Sequence, residues 1–176
     1  ARCQEKGLKV IAGGPLFTAE PDGFTEVDHL VLDEAELTLP SFLGDLQRGH
    51  PKKIYRASGF CDLHTTPIPS WDLIRMNRYA SMCIQITRGC PYNCEFCNVT
   101  VLFGHRPRPK TPQQVIAELD RIYDAGWRSG IFVVDDNFIG NKRYIKTQLL
   151  PAMIRWRKDK KGCVLTTEAS MNLADD

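Results

Sequence analysis

The sequence predicts an α/β protein built on parallel sheets, and three features carry that expectation. Short apolar runs recur along the chain, each ending in a glycine-rich or polar turn, which is the pattern of buried parallel strands. Two long segments with helical spacing separate the last three of these runs. Strand, helix, strand, helix and strand then follow at the separation of right-handed crossovers. Polar residues stand just past each of the three strand ends, where β/α barrels gather their chemistry.

Taken in order, residues 1–7 read as the tail of a helix stopped at Gly7. Leu8-Lys9-Val10-Ile11-Ala12 is a short buried strand running into Gly13-Gly14-Pro15, and Asp28-His29-Leu30-Val31-Leu32 is a second. Glu34–Arg48 has helical spacing through Leu37, Leu39, Phe42, Leu43 and Leu46, with Pro40 tolerable only near the start of the helix. Residues 49–78 carry Pro51, Pro67 and Pro69 without sustained periodicity, so they read as a linker with a short hairpin around Ile54–Phe60. From Tyr79 the pattern is regular. Strand Met82–Thr87 enters a loop that runs to Pro109. Thr111 caps a helix with Pro112 in its first turn, and Gly126 ends that helix. Gly130–Val134 is a buried strand, 142–158 a long amphipathic helix and Cys163–Thr167 the next strand. The domains are therefore expected at 1–48 and 79–176, with 49–78 between them.

Composition narrows the functional classes. The chain has 176 residues, 43% hydrophobic and 25% charged, an ordinary globular balance. A net charge of +2 is too small to argue for nucleic acid or an anionic membrane. No apolar run approaches the roughly 18–20 residues needed to span a bilayer. Seven cysteines, an odd number, do not suggest a secreted disulfide framework, and a reducing cytoplasm is the expected compartment. The chain opens at Ala1 without a methionine and closes just after a strand-like segment, so it reads as a piece of a longer protein.

The chemistry is concentrated in Arg88-Gly89-Cys90-Pro91-Tyr92-Asn93-Cys94-Glu95-Phe96-Cys97-Asn98. Gly89, Pro91 and Asn93 interrupt regular backbone, so the cysteines sit on a loop. Soft thiolates select iron–sulfur clusters, zinc or cuprous copper. Structural zinc takes four ligands, often as two pairs, and only three cysteines stand here. Three thiolates on a four-iron cluster leave one iron open to bind a small molecule, whereas ferredoxin-type carriers fill all four corners. The three Sγ atoms are expected to converge. Two other readings stay open at this level: an electron-transfer iron–sulfur module, with Cys83 or Cys163 as fourth ligand, and a zinc-stabilised binding module. Arg106, Arg108 and Lys110, near the end of the loop, read as solvated charges, with steering of an anion as the alternative.

The Cys-x3-Cys-x-aromatic-Cys spacing of Cys90, Cys94, Phe96 and Cys97, just after an apolar strand, resembles the signature of the radical S-adenosylmethionine (SAM) enzymes. The earlier part resembles the C-terminal half of the cobalamin-binding domain that precedes many radical SAM domains. The matching residues are Ala12-Gly13-Gly14-Pro15, Asp28, and Asp33-Glu34-Ala35-Glu36 where that family usually has Gly-Glu-Gly-Glu. Pro67-Ile68-Pro69-Ser70-Trp71-Asp72-Leu73-Ile74 resembles the lead into the barrel in the same class. The likeness implies a partial radical SAM β/α barrel, its first three β/α units, behind a partial Rossmann-like domain.

It also implies the cofactors and roles. Cys90, Cys94 and Cys97 would hold a [4Fe-4S] cluster that cleaves SAM reductively to a 5′-deoxyadenosyl radical. Phe96 would lie against the adenine. Asp135, Asp136 and Asn137 would receive the SAM amino group, with one of the two aspartates capping the next helix instead. Glu168 would meet the ribose hydroxyls, and Ser170 the same region. A reductant such as flavodoxin or ferredoxin, and a small-molecule or lipid substrate, are implied as partners. Methyl transfer is the commonest chemistry of the cobalamin class, and the surrounding sequence resembles hopanoid-methylase-like members loosely. Taken alone the piece is expected to be inactive, to self-associate through exposed sheet edges and not to bind cobalamin, because Asp33 and Glu34 put bulk and charge where that family has a glycine-bounded turn.

Overall fold

The computed structural model of the chain describes residues 2–175, and the chain divides into two compact units between Cys61 and Asp62. In the first unit a turn of 3-10 helix (Gln4–Lys6) closes on Gly7, as the sequence predicts. Strands β1 (Ile11–Gly13), β2 (His29–Val31) and β3 (Ile54–Tyr55) form a parallel sheet with β2 in the middle. The expected run Leu8–Ala12 is cut back to Ile11–Gly13, which among the described residues pairs with β2 alone and so forms a sheet edge; Leu8, ahead of the strand, and Ile11 in it are exposed. Gly13 pairs so closely with β2 that a Cβ there would stand 2.4 Å from the Val31 carbonyl oxygen. Helix α1 (Pro15–Ala19) follows, and α2 (Ala35–Gln47) lays Phe42 between His29 and Tyr55, with ring centres 5.6 and 5.4 Å away. Pro40 lies inside α2, in its second turn, so the helix tolerates one missing rung beyond its start.

Two expectations fail in this unit. The hairpin at Ile54–Phe60 is instead the third parallel strand, with Leu30 opposite Ile54 and Val31 opposite Tyr55. Two residues are too few to show a period, and burial of Tyr55 against Phe42 decides the pairing. The stretch 49–78 is not an independent linker either. Its first part belongs to the first unit through β3, and its second part packs on the second unit. There Leu63 is buried, Trp71, Ile74 and Met76 lie against the core, and Gln114 donates to the Leu63 and His64 carbonyls at 3.0 Å each.

The second unit is a parallel sheet of β4 (Ser81–Ile84), β7 (Gly130–Val133) and β8 (Val164–Thr167), in the order β4-β7-β8. The register sets Ile84 opposite Val133 and Val133 opposite Thr167, so the three strands end level. The predicted strand Met82–Thr87 is broken: after β4 the chain turns at Gln85 and Ile86 into β5 (Thr87–Arg88), which pairs antiparallel with β6 (Arg108–Pro109). A short helix, α3 (Val99–Phe103), lies in the loop between them.

Helix α4 (Pro112–Asp124) begins with the predicted cap. The Thr111 hydroxyl accepts from Gln114 N–H at 3.2 Å, and the Gln114 side chain accepts from Thr111 N–H at 2.9 Å. The long helix between β7 and β8 is α5 (Lys142–Tyr144), a π turn (Ile145–Leu149) and α6 (Leu150–Asp159). The π turn widens the helix just before Pro151, which has no N–H to donate. Met82, Ile84, Ile131 and Val133 pack one face of the sheet against Val115, Leu119 and Ile122 of α4 and against Leu149, Met153 and Trp156. The alternate residues Cys83, Phe132 and Thr166 stand in register on the other face.

Candidate functional site

The cysteine loop leaves and re-enters the fold through a narrow neck. Thr87 pairs with Pro109 and Arg88 with Arg108 across β5 and β6. Gly89 has φ +91°, and a Cβ there would meet the carbonyl oxygens of Arg106 at 2.8 Å, Gly104 at 2.9 Å and Phe103 at 3.0 Å. Only glycine fits that position. The next amide, Cys90 N–H, donates to the Gly104 carbonyl at 3.2 Å. Beyond it, Cys97 N–H donates to the Cys94 carbonyl at 3.1 Å, and α3 starts two residues later.

In the loop the Cys90 thiol is half-buried and those of Cys94 and Cys97 are exposed, none of them in a disulfide. The loop does not gather its thiols. Among the described residues, no three His, Cys, Asp or Glu side chains stand together as a metal site, which corrects the expectation that the three Sγ atoms converge. Bonds to a metal are what would draw three such sulfurs together. As a donor set they fit a cluster: three unpaired thiols on one short loop, anchored at the C-terminal end of the sheet. Cys163 is fully buried and its thiol donates to the Trp127 carbonyl at 3.6 Å, so it supplies no fourth ligand. Phe96 is 94% exposed and does not pack beneath the loop.

The strand ends hold the other candidates. Asp135 is 3% exposed, and its Oδ1 accepts from Ile86 N–H at 2.7 Å, while Oδ2 is buried without a hydrogen-bond partner. Burial pushes its carboxyl up to about 6, against the opposing pull of the Thr87 and Ile86 N–H groups and the Thr87 hydroxyl. Asp136 is exposed. Neither aspartate caps the next helix; the Asn141 side chain does, accepting from Tyr144 N–H at 3.1 Å. Asn137 is buried and joined to Ser170 in both directions: its Nδ2 donates to Ser170 Oγ at 3.2 Å, and its Oδ1 accepts from Ser170 N–H at 3.3 Å. Ser170 Oγ donates in turn to Asn172 Oδ1, and Asn172 Nδ2 donates to the Tyr92 hydroxyl. A chain of polar contacts thus runs from the ends of β7 and β8 to the cysteine loop between Cys90 and Cys94. Glu168 is exposed past β8, and its backbone carbonyl accepts from Phe138 N–H at 3.1 Å.

Sequence reasoning missed several of these parts. Lys110 is not a solvated charge: it is buried, with Nζ 2.5 Å from Oε1 of the equally buried Glu118. Burial holds the Glu118 carboxyl above the ordinary carboxylate range, with Lys110 pulling it down. Glu118 sits among Val115, Leu119 and Ile122 on the apolar face of α4, and that position was the available signal. Tyr92 and Asn172 gave no signal, since nothing in the sequence brings residues 80 apart together.

The family model of the radical SAM superfamily matches residues 84–173. The chain belongs to the radical SAM superfamily. A curated methyltransferase of Synechocystis sp., itself uncharacterized, is 46% identical over 97% of this chain and 32% of its own length. The hopanoid C-2 methylase of Rhodopseudomonas palustris is 36% identical over 98% of this chain and 34% of its own length. The chain thus spans about a third of the curated relatives it matches. The structure of the cobalamin-dependent SAM radical enzyme OxsB with aqua-cobalamin bound superposes with a TM-score of 0.70 at 20% identity, covering 92% of this chain and 26% of that one. That likeness establishes the fold as part of a radical SAM β/α barrel, with a Rossmann-like unit earlier in the chain. The superfamily implies a [4Fe-4S] cluster and SAM as cofactors, and the electron-carrier and zinc-module readings are not favoured. No helix among the described residues is long and apolar enough to cross a membrane.

Proposed function

We propose that this chain carries the cluster- and SAM-binding part of a cobalamin-dependent radical SAM methyltransferase. One observation carries the reading: the Cys-x3-Cys-x2-Cys loop springs from a fixed neck and is tied through Tyr92 to the level ends of β7 and β8. Cys90, Cys94 and Cys97 would hold a [4Fe-4S] cluster, which when bound would supply the electron for reductive cleavage of the SAM sulfonium.

The chain's own residues orient that SAM. Phe96, free of the core, meets the adenine, which is apolar enough to pay for covering an exposed ring. Asp136 and the Asn137–Ser170 pair face the amino group, where a carboxylate suits an ammonium. Glu168, open past β8, takes the ribose hydroxyls. The residues 2–61 resemble the part of such enzymes that binds cobalamin, and in the full-length protein this unit contributes to that site. Asp33, the one non-glycine residue with a left-handed backbone among the described residues (φ 62°), keeps the shape of the glycine turn it replaces. Its carboxylate accepts from Ala57 N–H, and that of Glu34 accepts from Cys61 N–H at 2.6 Å, so both charges are used within the unit.

The substrate we propose is a small molecule or lipid, the reductant a flavodoxin or ferredoxin, and the compartment the cytoplasm, where a reducing environment keeps the thiols free. Anaerobic reconstitution with iron and sulfide, followed by electron paramagnetic resonance with and without SAM, tests the site. A cluster signal that changes on adding SAM is expected. A signal indifferent to SAM, or no iron uptake, overturns the reading.

A further inference from the structure

The two stems of the cysteine loop meet over a set of buried polar groups that the cofactor roles leave unused. On the entry stem, Ile86 is fully buried; its N–H is taken by Asp135 Oδ1 at 2.7 Å, and its carbonyl accepts from Lys110 N–H, on the exit stem, at 2.8 Å. The Lys110 carbonyl accepts from the buried Tyr144 hydroxyl at 2.6 Å. The Lys110 ammonium is bound to Glu118 at 2.5 Å. These groups come from the end of β7, from α4 and from α5, so three separate elements grip the neck. A buried carboxylate and a buried ion pair are costly to retain, and an apolar neck would be cheaper in stability alone.

We infer that Asp135, Lys110, Glu118 and Tyr144 form a buried clasp that fixes the two stems of the cysteine loop against each other, and that Asp135 is a positioning residue for the three thiols rather than a group that meets SAM. The geometry separates Asp135 from its neighbours Asp136 and Asn137. Its carboxyl points back to Ile86, four residues before Cys90, and it is buried, whereas Asp136 is exposed. Because the hydrogen bond holds a backbone amide, a side chain that keeps the acceptor keeps the clasp, charged or not. The β5–β6 pairing is only two residues long, too short to hold a loop of this length by itself, and Gly89 just beyond it has no side chain to pack.

The inference rests on the proposed cluster site, so its test carries a readout independent of the cluster. Asp135→Ala, Asp135→Asn and Tyr144→Phe would be compared with the wild-type chain by amide hydrogen exchange of the apo protein, and by iron content and the SAM-dependent resonance signal after reconstitution. Asp135→Ala should speed exchange at Ile86, Cys90 and Lys110 about tenfold or more while Leu119 and Ile131 keep their protection, and should lower iron content. Asp135→Asn should restore both, since its amide oxygen still accepts from Ile86. If Asp135→Ala does not fold, Tyr144→Phe, which keeps the ring in the core, should still loosen Lys110 and Ile86 selectively. Unchanged exchange at the neck in Tyr144→Phe and in any folded Asp135→Ala chain would overturn the clasp. An Asp135→Asn chain with intact neck amides but no response to SAM would show that the carboxylate meets SAM, and so would also overturn it. Wild-type protein that takes up no iron would defeat the cluster reading instead, and the exchange data would still decide the clasp.

Discussion

Lys110→Met removes the cation that faces Glu118 and leaves most of the Lys110 stem in place. In the wild-type chain the pair is 2.5 Å apart, with side chains 8% and 3% exposed. Breaking such a pair from one side leaves an uncompensated buried charge, at a cost of about 3–5 kcal/mol. Glu118 can escape part of that cost by taking a proton. Its folded-state pKa already lies above its unfolded value because burial outweighs Lys110, and removing Lys110 raises it further. A carboxyl raised in the folded state contributes stability that is present below its unfolded pKa and lost as pH rises through the folded one. The loss in Lys110→Met should therefore be largest near about pH 8 and smaller near about pH 5. The double variant Lys110→Met/Glu118→Leu replaces the pair with apolar groups and should recover most of the loss, or exceed wild type by up to about 4 kcal/mol. Urea unfolding followed by tryptophan fluorescence reads the relevant unit directly, since Trp71, Trp127 and Trp156 all lie in it. Wild-type stability for Lys110→Met near about pH 8, or a double variant no better than the single, would show that the pair is solvated and the burial argument wrong.

Asp135 makes a separate pH prediction: a carboxyl raised from 3.8 to about 6 should cost about 3 kcal/mol of stability as pH climbs through that window, and Asp135→Asn should flatten the slope in the same urea experiment. An unaltered slope would assign the dependence to other groups. Gly89→Ala forces a left-handed alanine against three carbonyl oxygens, so iron uptake after reconstitution should fall severely and stability by more than about 1–2 kcal/mol. Near-normal iron content in that variant would mean the neck is pliable. Titrating hydroxocobalamin into the chain should give no saturable shift of its visible bands, because a corrinoid is held across a full doubly wound sheet and the described residues of this unit form three strands. Saturable binding would show that these strands suffice.

The parts of the fold that could be read in advance are those with a strong local period or a local cap. Helix α4 was legible from Thr111, Pro112 and the Val115–Tyr123 face, and strands β7 and β8 from continuous apolar runs closed by polar turns. The position of the cysteine loop followed from Gly89 and Pro91. What escaped depends on partners distant in sequence. The break in the strand at Gln85 and Ile86 is made by Asp135, 49 residues on from Ile86. The two-residue β3 exists because Tyr55 packs on Phe42, and Trp71, Ile74 and Met76 looked like linker because their contacts are with a later core. Within the site, Asp135-Asp136-Asn137 reads as three equivalent polar residues, yet alternation along the strand end buries Asp135 and Asn137 and exposes Asp136. A charged residue such as Lys110 is expected at the surface by its type, and only the opposing Glu118 explains its burial.

Replacing each of the seven cysteines by alanine, one at a time, and measuring iron–sulfur charge-transfer absorbance after anaerobic reconstitution puts the cluster assignment at risk in a single series. Absorbance should vanish for Cys90→Ala, Cys94→Ala and Cys97→Ala and survive replacement of Cys3, Cys61, Cys83 and Cys163 wherever the chain still folds. Absorbance retained in any of the first three, or lost on replacing the exposed Cys83 in a folded chain, would mean that the cluster is held by a different set of thiols.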